Sequence, residues 1–224
     1  MKIIAVSDLH GNLIRIKESC DVFIIAGDWS PLYCQHDYSR MLEWINKKFV
    51  KWMLNLNAAH IIFIPGNHDL VCTYSCFSSD LLTILNRYNC IGKIHYLNCN
   101  SIILNDVKFF GLPNSESHRG WDFSNPYNMD YKFDHDTDIL ITHQPPKVGD
   151  VGYVRLFNKE FGSEYLRNEI VKSNIRLNIC GHIHTGSHEV HTLLLNNGHT
   201  AEIRNVSILN EDYMVEYKPT AIEL

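Results

Sequence analysis

Five short apolar runs constrain this chain more than any other feature. They are residues 2–7 (KIIAVS), 21–26 (DVFIIA), 60–65 (HIIFIP), 138–142 (DILIT) and 176–180 (RLNIC). Each is nearly continuous in its apolar character rather than alternating, which is the pattern of strands buried on both faces. Each also stops at a carboxylate, imidazole or carboxamide, usually beside glycine: Asp8-Leu9-His10-Gly11, Gly27-Asp28, Gly66-Asn67-His68-Asp69, His143, and Gly181-His182-Ile183-His184. A chain built this way must bury its strands between other layers, with its polar chemistry at their ends.

The segments between the runs supply the covering layers. Over residues 37–54, Tyr38, Met41, Leu42, Ile45, Phe49, Trp52 and Met53 recur at three and four, and Glu43, Lys47, Lys48 and Lys51 fall on the other side, predicting an amphipathic helix with a solvated basic face. Residues 163–173 predict a shorter helix with Ser163 as its N-cap. Stretches 94–110, around Asn105-Asp106, and 189–204, around Asn196-Asn197-Gly198, read as hairpins. The sum is a layered α/β (α+β) sandwich, with residues 1–224 forming one domain.

Composition narrows the class. Hydrophobic residues at 45% and charged residues at 20% are ordinary for a globular chain and exclude a disordered one. With 20 Lys+Arg against 25 Asp+Glu, the net charge of −5 is the wrong sign for a general nucleic-acid binder. It leaves room for a small phosphate-bearing substrate neutralised by bound cations. No apolar run approaches the roughly 20 residues that span a bilayer. The seven cysteines lack paired zinc spacing and read as reduced core fillers, so a cytoplasmic protein is expected.

In open α/β architectures, ligands bind at the carboxyl ends of strands. The five runs therefore aim Asp8, His10, Asp28, Asn67, His143, His182 and His184 at one rim. Asp8 and His10, like His182 and His184, alternate with one apolar residue and so share a face of an extended segment. Seven N/O donors exceed the four of a tetrahedral zinc, and suit two five- or six-coordinate first-row ions bridged by a carboxylate. Trp29, Tyr33 and Phe77 follow these motifs; loop packing is expected of them, with stacking on a base as the alternative. Of the 13 histidines, those without motif context are assigned to surface or packing. The polar stretch 114–136 is irregular enough to be a binding loop, with Arg119 as a candidate phosphate contact. No dinucleotide or P-loop motif occurs.

The ordered set Asp8-x-His10, Gly27-Asp28, Gly66-Asn67-His68-Asp69, His143 and Gly181-His182-x-His184 resembles the calcineurin-like metallophosphoesterase superfamily. Within it, the chain is most similar to the small single-domain branch of metallophosphoesterase-domain-containing proteins of animal brain and their bacterial relatives. Supporting segments are THQPP at 142–146, Trp121-Asp122-Phe123 after FGLP, CGHIHTG at 180–186, and the closing NVSILNEDY with Pro219. The resemblance implies a four-layer α-β-β-α sandwich. It implies one divalent ion held by Asp8, His10 and His184 and a second by Asn67, His143 and His182, with Asp28 bridging them. Manganese is expected, and iron, zinc or nickel suits the same donors. By similarity, Asn67 and His68 face the substrate, His68 serves as general acid, and Asp69 orients the His68 ring. The activity implied is hydrolysis of a small phosphate ester, a nucleotide or cyclic-nucleotide diester, by a hydroxide that the ions generate. A Ser/Thr protein phosphatase on the same scaffold is the alternative, but those enzymes carry GD-x-x-D-R-G and GNHE where this chain has Gly27-Asp28-Trp29-Ser30-Pro31 and a motif ending in Asp69. Nuclease members add capping or coiled-coil regions that this length does not accommodate. A non-catalytic scaffold would have lost ligands, and none is lost; His182 stands where some inactive animal members carry Gly.

Overall fold

The computed structural model describes residues 1–113, 115 and 132–224. Arg119 and residues 121–123, named above, lie outside the described residues.

The apolar runs form the centres of two sheets. Strands β1 (Lys2–Val6), β2 (Cys20–Ala26), β3 (Ala58–Ile64) and β4 (Ile94–Tyr96) come first in the chain. Then follow β5 (Asn100–Leu104), β6 (Val107–Leu112), β7 (Ile139–Thr142), β8 (Tyr153–Val154), β9 (Lys159–Glu160), β10 (Leu177–Cys180), β11 (His191–Leu194), β12 (Thr200–Asn205) and β13 (Thr220–Glu223). One sheet has the order β13-β1-β2-β3-β4 and the other β11-β12-β10-β7-β6-β5; β8 and β9 pair separately. Strands β1 to β4 are mutually parallel, as are β12, β10, β7 and β6, and antiparallel strands β13, β11 and β5 lie at three of the four edges.

Alternation along each strand shows how the layers stack. Ile3, Ala5, Val22, Ile24, Ala26, Ile62 and Ile64 pack against Phe109, Ile139, Ile141, Leu177 and Ile179, the core between the sheets. The opposite parity, Ile4, Val6, Phe23, Ile25, Ile61 and Phe63, packs under the helices of residues 38–54 and 77–87. On the far side, Leu140, Cys180, Leu193 and Ile203 pack against Leu166 and Ile170 of the helix Glu164–Val171. Helix, sheet, sheet and helix make the four expected layers.

Two helices differ from expectation. The predicted helix over 37–54 is α1 (Tyr38–Trp44) and α2 (Val50–Leu54), joined by a π-helical turn at Ile45–Phe49 in which Val50 N–H reaches back to Ile45 O. That turn brings Trp44, Ile45, Phe49 and Val50 all into the core, where Trp44 and Phe49 stack 5.4 Å apart and Phe49 stacks on Trp29 at 4.9 Å. Helix α3 (Phe77–Arg87) was not anticipated; it buries Phe77, Leu81, Ile84 and Leu85. Helix α4 (Glu164–Val171) begins as predicted, with the Ser163 hydroxyl accepting from Leu166 N–H at 3.1 Å. Of the stretch 94–110, only β5 and β6 form the hairpin, turning at Asn105 and Asp106 with φ of 51° and 62°. Residues 94–96 instead pair with β3 in the other sheet, because Ile94 completes the core under α3. Trp29 and Phe77 are buried in that core and Tyr33 is exposed. Four of the cysteines, Cys34, Cys72, Cys90 and Cys180, are buried. No helix among the described residues is long and apolar enough to cross a membrane.

Candidate active site

The carboxyl ends of β1, β2 and β3 in one sheet, and of β7 and β10 in the other, meet at one rim. Asp8, Asp28 and His143 there are at most 2% exposed. The backbone accepts strain to bring them together: Asp8, His10, Asp28 and His182 all have left-handed φ, of 57°, 41°, 51° and 70°. Non-glycine residues rarely adopt such angles, and clusters of them mark functional sites. Packing is equally tight around Gly66, where an added Cβ would lie 2.3 Å from Asp28 Oδ1 and 2.8 Å from His143 Cε1.

Three groups of side chains each present donor atoms within 4.8 Å of one another: Asp8 with His10 and His184, Asp28 with His143 and His182, and His10 with Asp28 and His68. Asp28 belongs to two of them, its Oδ2 being 3.3 Å from His143 Nε2 and 3.7 Å from His10 Nε2. Asp8 Oδ1 is 3.5 Å from His184 Nε2, and Asn67 Oδ1 is 3.0 Å from His143 Nε2. The seven candidate ligands and His68 are thus in one place. The far ring nitrogens are tied down: His143 Nδ1 bonds Ala26 O and His184 Nδ1 bonds Asn210 O, each at 3.0 Å. With Nδ1 as donor, Nε2 is the nitrogen turned toward the cluster, and once it gives up its proton the ring has the tautomer that metal-binding histidines adopt. His10 Nδ1 is buried with no hydrogen-bond partner among the described residues. This donor set fits divalent first-row ions.

The carboxylates and imidazoles balance one another. Burial pushes the Asp28 carboxyl upward, but His143, His10 and His68 together hold it well below the usual range. Burial likewise opposes Asp8, which the hydrogen bond and charge of His184 keep low. His143 and His184, despite burial, are lifted to about 9 by Asp28 and Asp8 respectively. His10 and His182 are pushed down by burial to about 4 and about 3. Two cationic imidazoles therefore neutralise two carboxylates at neutral pH, and an ion entering the site must displace their protons.

Around this cluster the structure assigns parts that sequence reasoning missed. Ser207 Oγ, beyond β12, donates to Asp8 Oδ2 at 2.5 Å. Gln35 Oε1 meets His68 Nδ1 at 2.9 Å. The orienting contact expected from Asp69 thus falls to Gln35. The Asp69 carboxylate accepts from the backbone N–H of Gly66 at 2.7 Å, Ser30 at 2.9 Å and Trp29 at 3.4 Å. It staples the loop after β3 to the loop after β2, and burial, followed by the charge of Asp28, raises it to about 7. Gln35 carries no sequence signal, whereas Ser207 and Tyr213 fall within the NVSILNEDY segment. A cleft of about 300 Å³ opens over His10, Asp28, Asn67, His68, His182 and His184, and its outer wall includes Val154, Phe157, Phe161 and Tyr213.

Residues 1–186 match the family model described as calcineurin-like phosphoesterase. The chain belongs to that family. Its candidate ligands all fall inside the matched residues, and the closing strands of this calcineurin-like phosphoesterase, with Ser207 and Tyr213, fall beyond them. Over its full length the chain is 25% identical to metallophosphoesterase domain-containing protein 1 of Homo sapiens and of Mus musculus, covering 71% of each. A probable rhamnogalacturonate lyase C of Emericella nidulans is 24% identical over 83% of this chain and 17% of its own. Among solved structures, the phosphopantetheinyl hydrolase of Mycobacterium tuberculosis shares the fold, with a TM-score of 0.53 at 14% identity, covering 92% of this chain and 89% of that one.

Proposed function

We propose that this calcineurin-like phosphoesterase is a dinuclear-metal hydrolase of a small phosphate ester, a phosphodiester of the nucleotide or cyclic-nucleotide kind. The observation that carries the reading is the sharing of Asp28 between donor groups at the junction of two sheets. Both sheets furnish donors to one cleft, which supports reading residues 1–224 as a single domain. Asp8, His10 and His184 would hold one ion and Asn67, His143 and His182 the other, with Asp28 between them. Bound there, two divalent ions supply Lewis acidity to the phosphoryl oxygens and lower the pKa of a water to near neutrality.

The chain's own residues do the rest. Asn67 and His68 face the phosphate, and His68 protonates the departing oxygen, a contribution that grows as the leaving group becomes poorer. Gln35 holds the His68 ring through Nδ1 at the edge of the cleft from which the proton would be delivered. Asp69 fixes the separation of the two loops that carry Asp28 and His68, and Ser207 fixes the Asp8 carboxylate. The test is hydrolysis of bis-p-nitrophenyl phosphate by protein loaded with manganese, nickel or zinc. Asp28→Asn is expected to abolish it, and His68→Ala to slow it, with a larger loss on esters whose leaving group is an alkoxide. Full activity of Asp28→Asn under the same metal loading would falsify the shared-carboxylate assignment.

A further inference from the structure

Tyr213, the last residue of the NVSILNEDY segment that also carries Ser207, occupies an unusual position. Its φ is 59°, a left-handed angle that a bulky aromatic residue rarely tolerates. The turn is built to enforce it. Asn210 Oδ1 accepts from Asp212 N–H and Met214 N–H, both at 3.0 Å, and Asn210 O accepts from Tyr213 N–H at 3.0 Å. The same carbonyl takes the Nδ1 of His184, so the turn and a candidate ligand are positioned together. The result sets the Tyr213 ring against two imidazoles of the site, 4.9 Å from His10 and 5.4 Å from His184, with interplanar angles of 72° and 85°. The ring is 39% exposed and lines the cleft. Strain of this kind persists where the surrounding structure over-determines it, and it clusters at ligand clamps.

The cleft has further aromatic lining. Phe157 ends the 3₁₀ turn Arg155–Phe157, none of whose residues is buried, so its ring is not committed to the core. Asn158, with a left-handed φ of 47°, closes that turn and is hydrogen-bonded by the Tyr153 hydroxyl. Phe157 is 64% exposed and meets Phe161 with ring centroids 6.0 Å apart. Glu211, held by the Thr185 hydroxyl at 2.9 Å, puts a negative charge at the same rim. That charge disfavours a second anionic group on the substrate and leaves an uncharged ring as the better match.

We infer that Tyr213 and Phe157 form a subsite for a planar, uncharged ring borne by the phosphate ester, next to the ion-binding floor. The inference rests on the phosphoesterase reading and adds what the rest of the substrate must be: aryl or nucleobase in kind, not a sugar phosphate or a polyphosphate. Stacking of a base on an aromatic side chain is sequence-tolerant and strong enough to dominate affinity at a site of this size.

Calorimetric binding of methyl, cyclohexyl and phenyl phosphate to the metal-loaded protein separates the contributions. Methyl phosphate reports the phosphate site alone; cyclohexyl adds apolar bulk, and phenyl adds a planar ring of the same size. Phenyl phosphate is expected to bind about tenfold tighter than methyl phosphate, with cyclohexyl well short of it. Tyr213→Ala and Phe157→Ala should each shrink the phenyl advantage, and Tyr213→Phe should keep it. Equal binding of phenyl and cyclohexyl phosphate, or a phenyl advantage that survives both alanine variants, overturns the subsite and leaves the phosphoesterase reading standing. Failure of all three probes to bind overturns both. Phe157→Ala removes an exposed side chain and keeps the test valid if Tyr213→Ala loosens its turn.

Discussion

Gly66→Ala places one methyl group where the site has no room for it. The new Cβ would lie 2.3 Å from Asp28 Oδ1, 2.5 Å from Asp28 N and 2.8 Å from His143 Cε1. Ordinary contact begins at about 3.5 Å between carbon atoms, so roughly 1 Å of separation must be found. A side-chain rotation of Asp28 relieves one of these contacts and leaves its backbone nitrogen in place. The backbone there is pinned: Asp28 O accepts from His10 N–H at 2.9 Å, Gly27 O from Asp8 N–H at 3.0 Å, and Asp28 Oδ1 from His68 N–H at 2.7 Å. The strain therefore passes into the relation between Asp28 and His143, now 3.3 Å apart. Overpacking of this sort costs about 1–3 kcal/mol. A misplacement of about 1 Å in a reacting constellation costs about 100-fold in rate. Gly92→Ala is the matched control, because nothing lies within 4 Å of its added Cβ. Three measurements decide: urea unfolding in chelator, metal content after dialysis by mass spectrometry, and hydrolysis of bis-p-nitrophenyl phosphate. Gly66→Ala should lose stability, retain less metal and turn over about 100-fold more slowly than Gly92→Ala. Parity of the two variants within twofold in metal content and rate would refute the close-approach argument.

Two further outcomes follow from the cluster's charges and contacts. His143 and His184, at about 9 when folded against 6.5 ordinarily, stabilise the metal-free protein below pH 6.5, and that stability is lost as pH rises to 9. His10 and His182, lowered to about 4 and about 3, take up protons in the unfolded chain first, so stability also falls as pH drops below 6.5. Asp69, raised to about 7, opposes that acid-side fall by a single proton. Unfolding in chelator should therefore show maximal stability near pH 6.5, and a midpoint that climbs steadily from pH 6.5 to 9 contradicts the proton placement. Separately, Gln35→Ala removes the hydrogen bond at His68 Nδ1 and should slow esters with alkyl leaving groups about 10- to 100-fold while leaving p-nitrophenyl esters nearly unaffected. Equal losses on both substrates would remove Gln35 from proton delivery.

The strands and their polar ends were legible because continuous apolar runs have one good solution, burial on both faces, and because Asp, His and Asn at those ends have no place in a core. Helix α3 carries a weak start signal in sequence because its N-cap, Cys76, makes no capping side-chain bond and its buried stripe is only four residues, Phe77, Leu81, Ile84 and Leu85. The π-turn was invisible for a different reason: it answers the demand of Trp29 for stacking partners, a tertiary cause. Asp69 misled because it adjoins His68 in sequence, although the turn after β3 sends the two side chains to different partners. The backbone turns Asp69 inward to the amides and His68 outward to Gln35. Gln35 and Tyr213 reach the site across 33 residues from His68 and about two hundred from His10, and composition carries no trace of such contacts.

The division of donors between the sheets has a mechanical consequence. Asp8, His10, Asp28 and Asn67 hang from one sheet, and His143, His182 and His184 from the other. Along most of their shared face, the two sheets meet through apolar side chains, which resist separation but offer little direction. At the rim, the contact is polar and directional instead. Any ion seated there acts as a clasp across the seam, and its binding energy opposes the opening of one sheet from the other. Amide hydrogen exchange at the carboxyl ends of β1, β2, β7 and β10 would then report occupancy more directly than at the opposite rim, where no such clasp exists among the described residues. Catalysis and the integrity of the seam would draw on the same few bonds.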